Sequence, residues 1–439
     1  VQDTEALKEV TALMSADNDS LTQILSETAT WKTEADGKYL CFALQTATGC
    51  TDPAAQEEII SRISTACVDS PVGILADFNG SARCDSIDEA FLSRFGIRFR
   101  SMNTVAGVIP HTIIPEGESL VSCKKRLEKI YKTDPSFTIG YVPDNDGDRG
   151  NVVYMDPAAG RASSIEAQEI FALSCIAELA YLVHNGILTY DSYGNAVQKV
   201  AIVVNGPTSL RIERIADFFG VRVFRSEVGE ANVVGLARDV RNSGFIVPVF
   251  GEGSNGGTIV FPASVRDPLN TLGGILKLLL LKGNDKNPDP FRIWCERSGQ
   301  QDKWKKSPGI ADLIATIPVF TTTGVTEERA IFPVRSTDCR SFKKAYEQIF
   351  LDQWESKKGD LRSLFNFYSW EEINYEGKEE KHGTGEEYRS GKCKGGLKIL
   401  FKNEKGKKVG FIWMRASGTE PVFRVLADLW GDNRSGEEE

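Results

Sequence analysis

The chain has 439 residues, 41% hydrophobic and 26% charged, with a formal net charge of −9. This length and composition suit a soluble globular protein of about three domains, and the acidic balance argues against nucleic acid as the main partner. The longest apolar run, Ile275–Leu281, contains Lys277 and is too short to span a bilayer; no signal peptide is read and no membrane partner is expected.

Nine scattered cysteines with no C-x-x-C pair predict reduced thiols and a cytoplasmic protein. The three histidines, His111, His184 and His382, have no metal-ligand or triad neighbour in sequence. His184 is expected at a helix C-terminus, where a cation is favoured.

Residues 1–70 read as a partial or divergent N-terminal α/β domain. Helical spacing is present at Thr4–Met14 and Ala54–Cys67, and a short strand is expected at Tyr39–Leu44. From Val72 the pattern sharpens into an α/β domain over residues 71–158. The strand Val72–Phe78 meets an Asn79-Gly80 turn, a helix from Ser86 to Phe95, Gly96 and a strand Ile97–Arg100, which is a β-turn-α-β unit. Two apolar runs, Phe137–Val142 and Val152–Tyr154, flank a polar loop and read as strand, loop, strand.

A second α/β domain is expected over residues 159–318. It opens on a capping box with Ser163 as N-cap and Glu166 reaching back, followed by a helix to Asn185-Gly186. The order seen after Val72 then recurs in Val200–Val204, Asn205-Gly206, a helix through Phe218-Phe219, Gly220 and Val221–Arg225. One such recurrence indicates two related domains in tandem, not a solenoid. The run Phe245–Phe250 reads as a buried strand and Leu269–Leu281 as a core helix. Residues 319–439 read as a smaller divergent α+β domain, with an antiparallel hairpin of Leu397–Phe401 and Val409–Met414.

Three loops carry chemistry. In the first, Asp144, Asp146 and Asp148 alternate with Asn145 and Gly147, and Arg149 follows. Three such carboxylates repel by roughly 4 kcal/mol per pair at ~4 Å and an effective dielectric near 20. A hard cation, Mg²⁺ or Ca²⁺, removes that penalty. A solvated acidic turn is the plain alternative, and Asp144-Asn145-Asp146 also partly matches a dehalogenase-type phosphatase with Asp144 as nucleophile. An EF-hand is excluded, because Arg149 and Met155 stand where it needs glycine and glutamate.

The second loop, Gly251-Glu252-Gly253-Ser254-Asn255-Gly256, fits the dinucleotide pattern G-x-G-x-x-G only superficially. A strand rather than a helix follows it, and Glu252 would repel a pyrophosphate. In the third, Arg415-Ala416-Ser417-Gly418-Thr419-Glu420-Pro421 with Arg424 beyond, backbone N–H groups, two hydroxyls and planar guanidiniums suit phosphate oxygens. A hairpin corner with exposed arginines is the alternative.

Together these loops resemble the α-D-phosphohexomutase superfamily of phosphoglucomutases and phosphomannomutases, from about Val72 to Leu429. Asp144–Arg149 matches its D-G-D-x-D-R metal loop, Gly251–Gly256 is similar to its G-E-x-S-G sugar loop, and Arg415–Pro421 matches its R-x-S-G-T-E-P phosphate loop in full. The resemblance implies tandem α/β domains and phosphoryl transfer between O1 and O6 of glucose or mannose phosphate. That transfer would run through a phosphoserine and a bisphosphorylated sugar, with Mg²⁺ and a glucose 1,6-bisphosphate-type activator. It further implies metal binding by Asp144, Asp146 and Asp148, and a catalytic role for Arg149. Glu252 and Ser254 would contact the sugar, and Arg415, Ser417, Gly418, Thr419 and Arg424 its phosphate. The family's T-x-S-H-N-P serine loop has no counterpart here; the nearest run is Thr46–Pro53, with Thr48 in place of the serine. The sugar loop departs too, with Asn255-Gly256 where many members have glycine and histidine. A non-catalytic sugar-phosphate-binding homologue is therefore the alternative to an active mutase.

Overall fold

The computed structural model describes residues 8, 18–284, 287–334, 338–389, 395–416 and 422–438. Two helices come first, α1 (Asn18–Thr48) and α2 (Pro53–Asp69). Asp52 caps α2 by accepting from the Ala55 amide at 2.8 Å, and Pro53 occupies the first turn, where its missing N–H is harmless. The strand expected at Tyr39–Leu44 is instead part of α1, and residues 18–70 contain no strand. Ala43, Leu44 and Ala47 bury one helical stripe against the core that also takes Ile59, Ile60 and Ile63 of α2. That three-dimensional burial overrides the local apolar run. The helix expected at Thr4–Met14 lies outside the described residues, apart from Lys8.

The first α/β unit contains β1 (Gly73–Asp77), α3 (Asp88–Arg94), β2 (Arg98–Met102), α4 (Val121–Tyr131), β3 (Phe137–Pro143), β4 (Gly150–Asp156) and β5 (Arg161–Ser164). Its sheet has the order β2-β1-β3-β4-β5, with β1 parallel to β2 and β3, and β4 returning antiparallel. Because β5 pairs with β4, this sheet runs on to Ser164, past residue 158. Helix α5 (Ala167–His184) follows. Its capping box uses Glu166 and Glu169, not Ser163 and Glu166, since Ser163 still belongs to β5.

The same topology then repeats. β6 (Ala201–Asn205), α6 (Arg211–Phe219), β7 (Arg222–Ser226), α7 (Glu230–Asn242), β8 (Val249–Glu252) and β9 (Gly257–Val260) form a sheet ordered β7-β6-β8-β9, again parallel until the last antiparallel strand. The buried run at Phe245–Phe250 becomes regular strand only from Val249, with Ile246 bridging Val200. The matching Phe-Gly steps have a physical cause: Gly96 (φ +72) and Gly220 (φ +67) follow a helix in the left-handed conformation, which costs glycine least. Helices α8 (Pro268–Leu280), α9 (Pro290–Arg297) and α10 (Ile310–Ile314) complete this part.

Strand alternation sets the layers. Ile74, Ala76, Ile139 and Tyr141 of the first sheet and Ile202 and Val204 of the second share one core with α1, α2, α5 and α8. On the opposite faces, Leu75, Val142 and Val153 meet α4, while Ala201, Val203 and Phe250 meet α7. Helix α5 is buried on nearly all sides. Inside this core Lys277 of α8 donates to both carboxylate oxygens of Glu178 at 2.7 and 2.9 Å. His184 ends α5 as a neutral ring rather than as a cation. Burial lowers its pKa, Nδ1 donates to the Pro288 carbonyl at 2.7 Å, and Nε2 faces the guanidinium of Arg62 at 3.0 Å. Arg62, which also donates to the Lys282 carbonyl at 2.6 Å, is the cation beside that helix end.

The C-terminal part holds β10 (Phe320–Thr322), β11 (Ile331–Pro333), α11 (Cys339–Phe365), β12 (Ser369–Glu376), β13 (Glu379–His382), β14 (Leu397–Lys402), β15 (Lys408–Ala416), β16 (Val422–Trp430) and α12 (Arg434–Glu438). Its antiparallel sheet has the order β10-β16-β15-β14-β12-β13, with β11 also paired to β16. The expected hairpin is β14–β15. One face is covered by α11, and the other packs on Leu210 beside α6. No helix among the described residues is long and apolar enough to cross a membrane.

The buried Lys277–Glu178 pair gives a test of this layering. Lys277→Met leaves a carboxylate buried without its partner and is expected to cost about 3–5 kcal/mol in denaturant unfolding. The double variant Lys277→Met with Glu178→Leu is expected to recover most of that loss.

Candidate functional site

The repeat places two chemically distinct hairpins at equivalent positions. The β3–β4 loop carries Asp144–Arg149, and the β8–β9 loop carries Gly253–Gly256 after Glu252. In the first, oxygen atoms of Asp144, Asp146 and Asp148 lie within 4.8 Å of one another. Asp144 is buried. Its Oδ1 accepts from the Arg149 amide at 3.0 Å and its Oδ2 from Arg149 Nε at 2.7 Å. A carboxylate held on both oxygens is poorly disposed to attack a phosphate, which argues against the dehalogenase reading.

Burial pushes the Asp148 carboxyl up to about 6, against the pull of Arg266, and the neighbouring Asp144 and Asp146 charges add to the rise. Asp148 Oδ1 is buried and accepts no hydrogen bond, with Arg149 Nε at 3.7 Å. Three close carboxylate oxygens, one of them an unused buried acceptor, form a donor set suited to a hard divalent cation.

In the second hairpin Glu252 is 3% exposed. Its Oε1 accepts from Asn205 Nδ2 at 3.1 Å and from the Gly229 amide at 2.8 Å. Its Oε2 accepts from Asn255 at 3.3 Å and lies 3.5 Å from Arg266. Ser254 sits in a single 3-10 turn, and its Oγ accepts from Asn205 at 3.2 Å. Asn205, at the end of β6, thus organises both residues and takes a hydrogen bond from Thr208 at 2.6 Å. Sequence reading took Asn205-Gly206 only as a turn.

A cavity of about 280 Å³ joins these elements to the C-terminal sheet. Arg149, Ser254, Asn255, Arg415 and Arg424 line it, with Ile114, Val325 and Trp413 as apolar wall. Glu116 and Thr326 also line it and bridge it, Thr326 donating to Glu116 at 2.7 Å. Arg415 and Arg424 stand directly opposite each other in the β15–β16 register. Like charges so placed destabilise a strand pair unless an anion joins them. Glu227, buried beside them, ion-pairs with Arg415 at 3.2 Å; burial raises its pKa while the Gly396 amide and Arg415 oppose the rise. Ser417, Gly418 and Thr419 lie outside the described residues. Glu252 does not line the cavity, because its oxygens are turned to protein donors.

Thr48 lies elsewhere. It is fully buried at the end of α1, where its hydroxyl donates to the Leu44 carbonyl at 2.8 Å and its own carbonyl accepts from Tyr181 at 2.6 Å. The run Thr46–Pro53 is therefore the end of α1, a four-residue link and the start of α2, with Thr48 on the buried side of it. His111 does have a partner through space, Asp77 Oδ2 at 3.2 Å.

Sequence reading also missed Arg266, Glu227 and Glu230. The Asp267-Pro268 pair is a legible helix start, with Asp267 accepting from the Leu269 amide at 2.9 Å. Nothing in the sequence says what the arginine preceding it touches.

No sequence-family model and no curated protein matches this chain. Among solved structures, pp63/parafusin of Paramecium, a phosphoglucomutase in an open form, is similar over 84% of this chain and 55% of its own length, with a TM-score of 0.51 at 13% identity. A phosphoglucomutase/phosphomannomutase family protein of Burkholderia thailandensis is similar over 85% of this chain and 61% of its own, with a TM-score of 0.49 at 16% identity. The chain thus spans between half and two thirds of the length of these proteins, and over the stretch matched to the Paramecium structure it shares that protein's fold.

The role of Asn205 can be checked directly. Asn205→Leu removes the donor shared by Glu252 and Ser254 and is expected to cost about 1–3 kcal/mol of stability. Amide exchange should quicken most at residues 252–257 and less in the β3–β4 hairpin.

Proposed function

We propose that this chain, folded like phosphoglucomutase, binds a hexose phosphate in the cavity between its hairpins and its C-terminal sheet, with a divalent cation at Asp144, Asp146 and Asp148. The observation that carries this reading is the convergence of Arg149, Ser254, Arg415 and Arg424, from distant parts of the sequence, on one cavity. The reaction class is the phosphohexomutase one, phosphoryl transfer between O1 and O6 in which a phosphoserine gives its group to the sugar phosphate and takes the other back from the bisphosphorylated sugar; the phosphoserine loop is not found in this sequence.

Arg415 and Arg424 take the phosphate that is not reacting, helped by Ser417, Gly418 and Thr419 of the adjoining loop. Gripping that end positions the far end of the sugar for chemistry. Ser254 meets the sugar directly, whereas Glu252 contributes only where a hydroxyl displaces Asn255 or Arg266 from its Oε2. Arg149 lines the same cavity and offers its guanidinium to the transferring group. Magnesium, bound at the three aspartates, would supply charge neutralisation of that group.

A second reading, binding without turnover, is favoured by one observation: Thr48, the nearest match to the missing nucleophile, is buried and hydrogen-bonded. On this chain alone we therefore expect ligand binding without robust mutase turnover in a coupled assay with glucose 1-phosphate, Mg²⁺ and glucose 1,6-bisphosphate.

The decisive measurement is calorimetric. Each charge-assisted hydrogen bond contributes about 1.5–3 kcal/mol, so Arg415→Ala is expected to weaken glucose 6-phosphate binding by roughly tenfold or more. Unphosphorylated glucose serves as the control. Unchanged affinity for the phosphate ester would show that the arginine pair is only a hairpin corner.

A further inference from the structure

Arg266 lies in the segment that returns from the sugar hairpin to α8, and it is the side chain that joins the two hairpins. Its guanidinium ion-pairs with Asp148 of the metal hairpin, lies 2.6 Å from Glu230 at the start of α7 and 3.5 Å from Glu252 of the sugar hairpin. One cation therefore serves three carboxylates on three elements, with its side chain only 18% exposed.

The seat is built for this side chain. A Cβ on Gly257 would come within 2.5 Å of Arg266 Cδ, so glycine there is what lets the arginine lie across the hairpin. The next residue, Asp267, is fixed as the cap of α8 and accepts from Tyr39 at 2.7 Å, which leaves the backbone under Arg266 little freedom. Counting Asp144 and Asp146, five carboxylates gather here around two guanidiniums, those of Arg149 and Arg266.

We propose that Arg266 is an internal competitor of the divalent cation, and that it couples metal occupancy to the sugar hairpin. The inference rests on the metal reading given above and adds a residue and a sign to it. Asp148 shows the division of labour: Oδ2 takes Arg266, while Oδ1 is buried and accepts no hydrogen bond, with Arg149 Nε at 3.7 Å. A cation drawing on Asp148 weakens its hold on Arg266, because the same negative charge cannot serve both fully. The released guanidinium shifts toward Glu252, whose Oε2 also takes Asn255 of the cavity lining. By linkage, hexose phosphate and magnesium then strengthen each other's binding through one side chain.

This gives a sign that a merely structural role would not produce. Removing Arg266 deletes the competitor and leaves all three metal carboxylates in place. Arg266→Gln is therefore expected to bind Mg²⁺ roughly tenfold tighter than the parent chain, within the usual range of coupling between sites. The gain in Mg²⁺ affinity caused by saturating glucose 6-phosphate should largely vanish in that variant. Arg266→Lys keeps the charge and guards against a folding defect; its Mg²⁺ affinity should stay within about threefold of the parent.

Isothermal titration with MgCl₂, with and without glucose 6-phosphate, reads all three chains, and circular dichroism confirms their folding. Equal or weaker Mg²⁺ binding by folded Arg266→Gln would overturn the proposal while leaving the metal site itself intact. Binding by Arg266→Gln where the parent shows none would support it most strongly. Absence of Mg²⁺ binding in every chain would remove the metal reading and this inference with it.

Discussion

The site depends on one constraint: too many carboxylates must share too few cations where two hairpins meet. The alternating aspartates of the first hairpin cannot come within 4.8 Å of one another without compensation. Arg149 compensates from within the loop and Arg266 from outside it. The external arginine is the more consequential, because it links the β3–β4 hairpin to the β8–β9 hairpin through Asp148 and Glu252. Two loops more than a hundred residues apart in sequence thereby become one electrostatic unit.

That unit rests on a stiff base. A Cβ on Gly147 would meet Arg83 Cδ at 2.7 Å, and Arg83 is pinned by Asp88 at 2.9 Å. Arg83 also donates to Tyr39 at 2.8 Å, and Tyr39 in turn donates to Asp267, next to Arg266. Helix α1 and one end of α8 are thus tied by a polar chain through Arg83, against which Gly147 of the β3–β4 hairpin packs closely. Such chains specify one arrangement when their members are satisfied. Below them the shared apolar layer of α5 and α8 fixes how the two α/β units sit together, and sites carried on strand ends are held more precisely than sites on free loops.

The C-terminal sheet brings the opposite charge. Arg415 and Arg424 face each other across β15–β16, and Glu227 from the second unit reaches over to Arg415 and to the Gly396 amide. The same unit holds the sheet from beneath, where Asp428 accepts from the Leu210 amide at 2.8 Å.

The sequence alone determined the α/β repeat and the hairpin loops, because each is written in adjacent residues. Apolar runs of strand length, Phe-Gly helix stops and the alternation of Asp144, Asp146 and Asp148 are local patterns with local causes. The same locality explains the failures. Tyr39–Leu44 read as a strand because its helical stripe shows only against α2 and α8, and His184 read as a cation because Arg62 is far away in sequence. Only the tertiary structure decided that Glu252 spends its oxygens on Asn205, Gly229, Asn255 and Arg266, that Thr48 is buried, and that Arg266 bridges three carboxylates. Those are matters of which charges meet after folding, and Coulomb energy and desolvation act on distances in space that the order of residues does not contain.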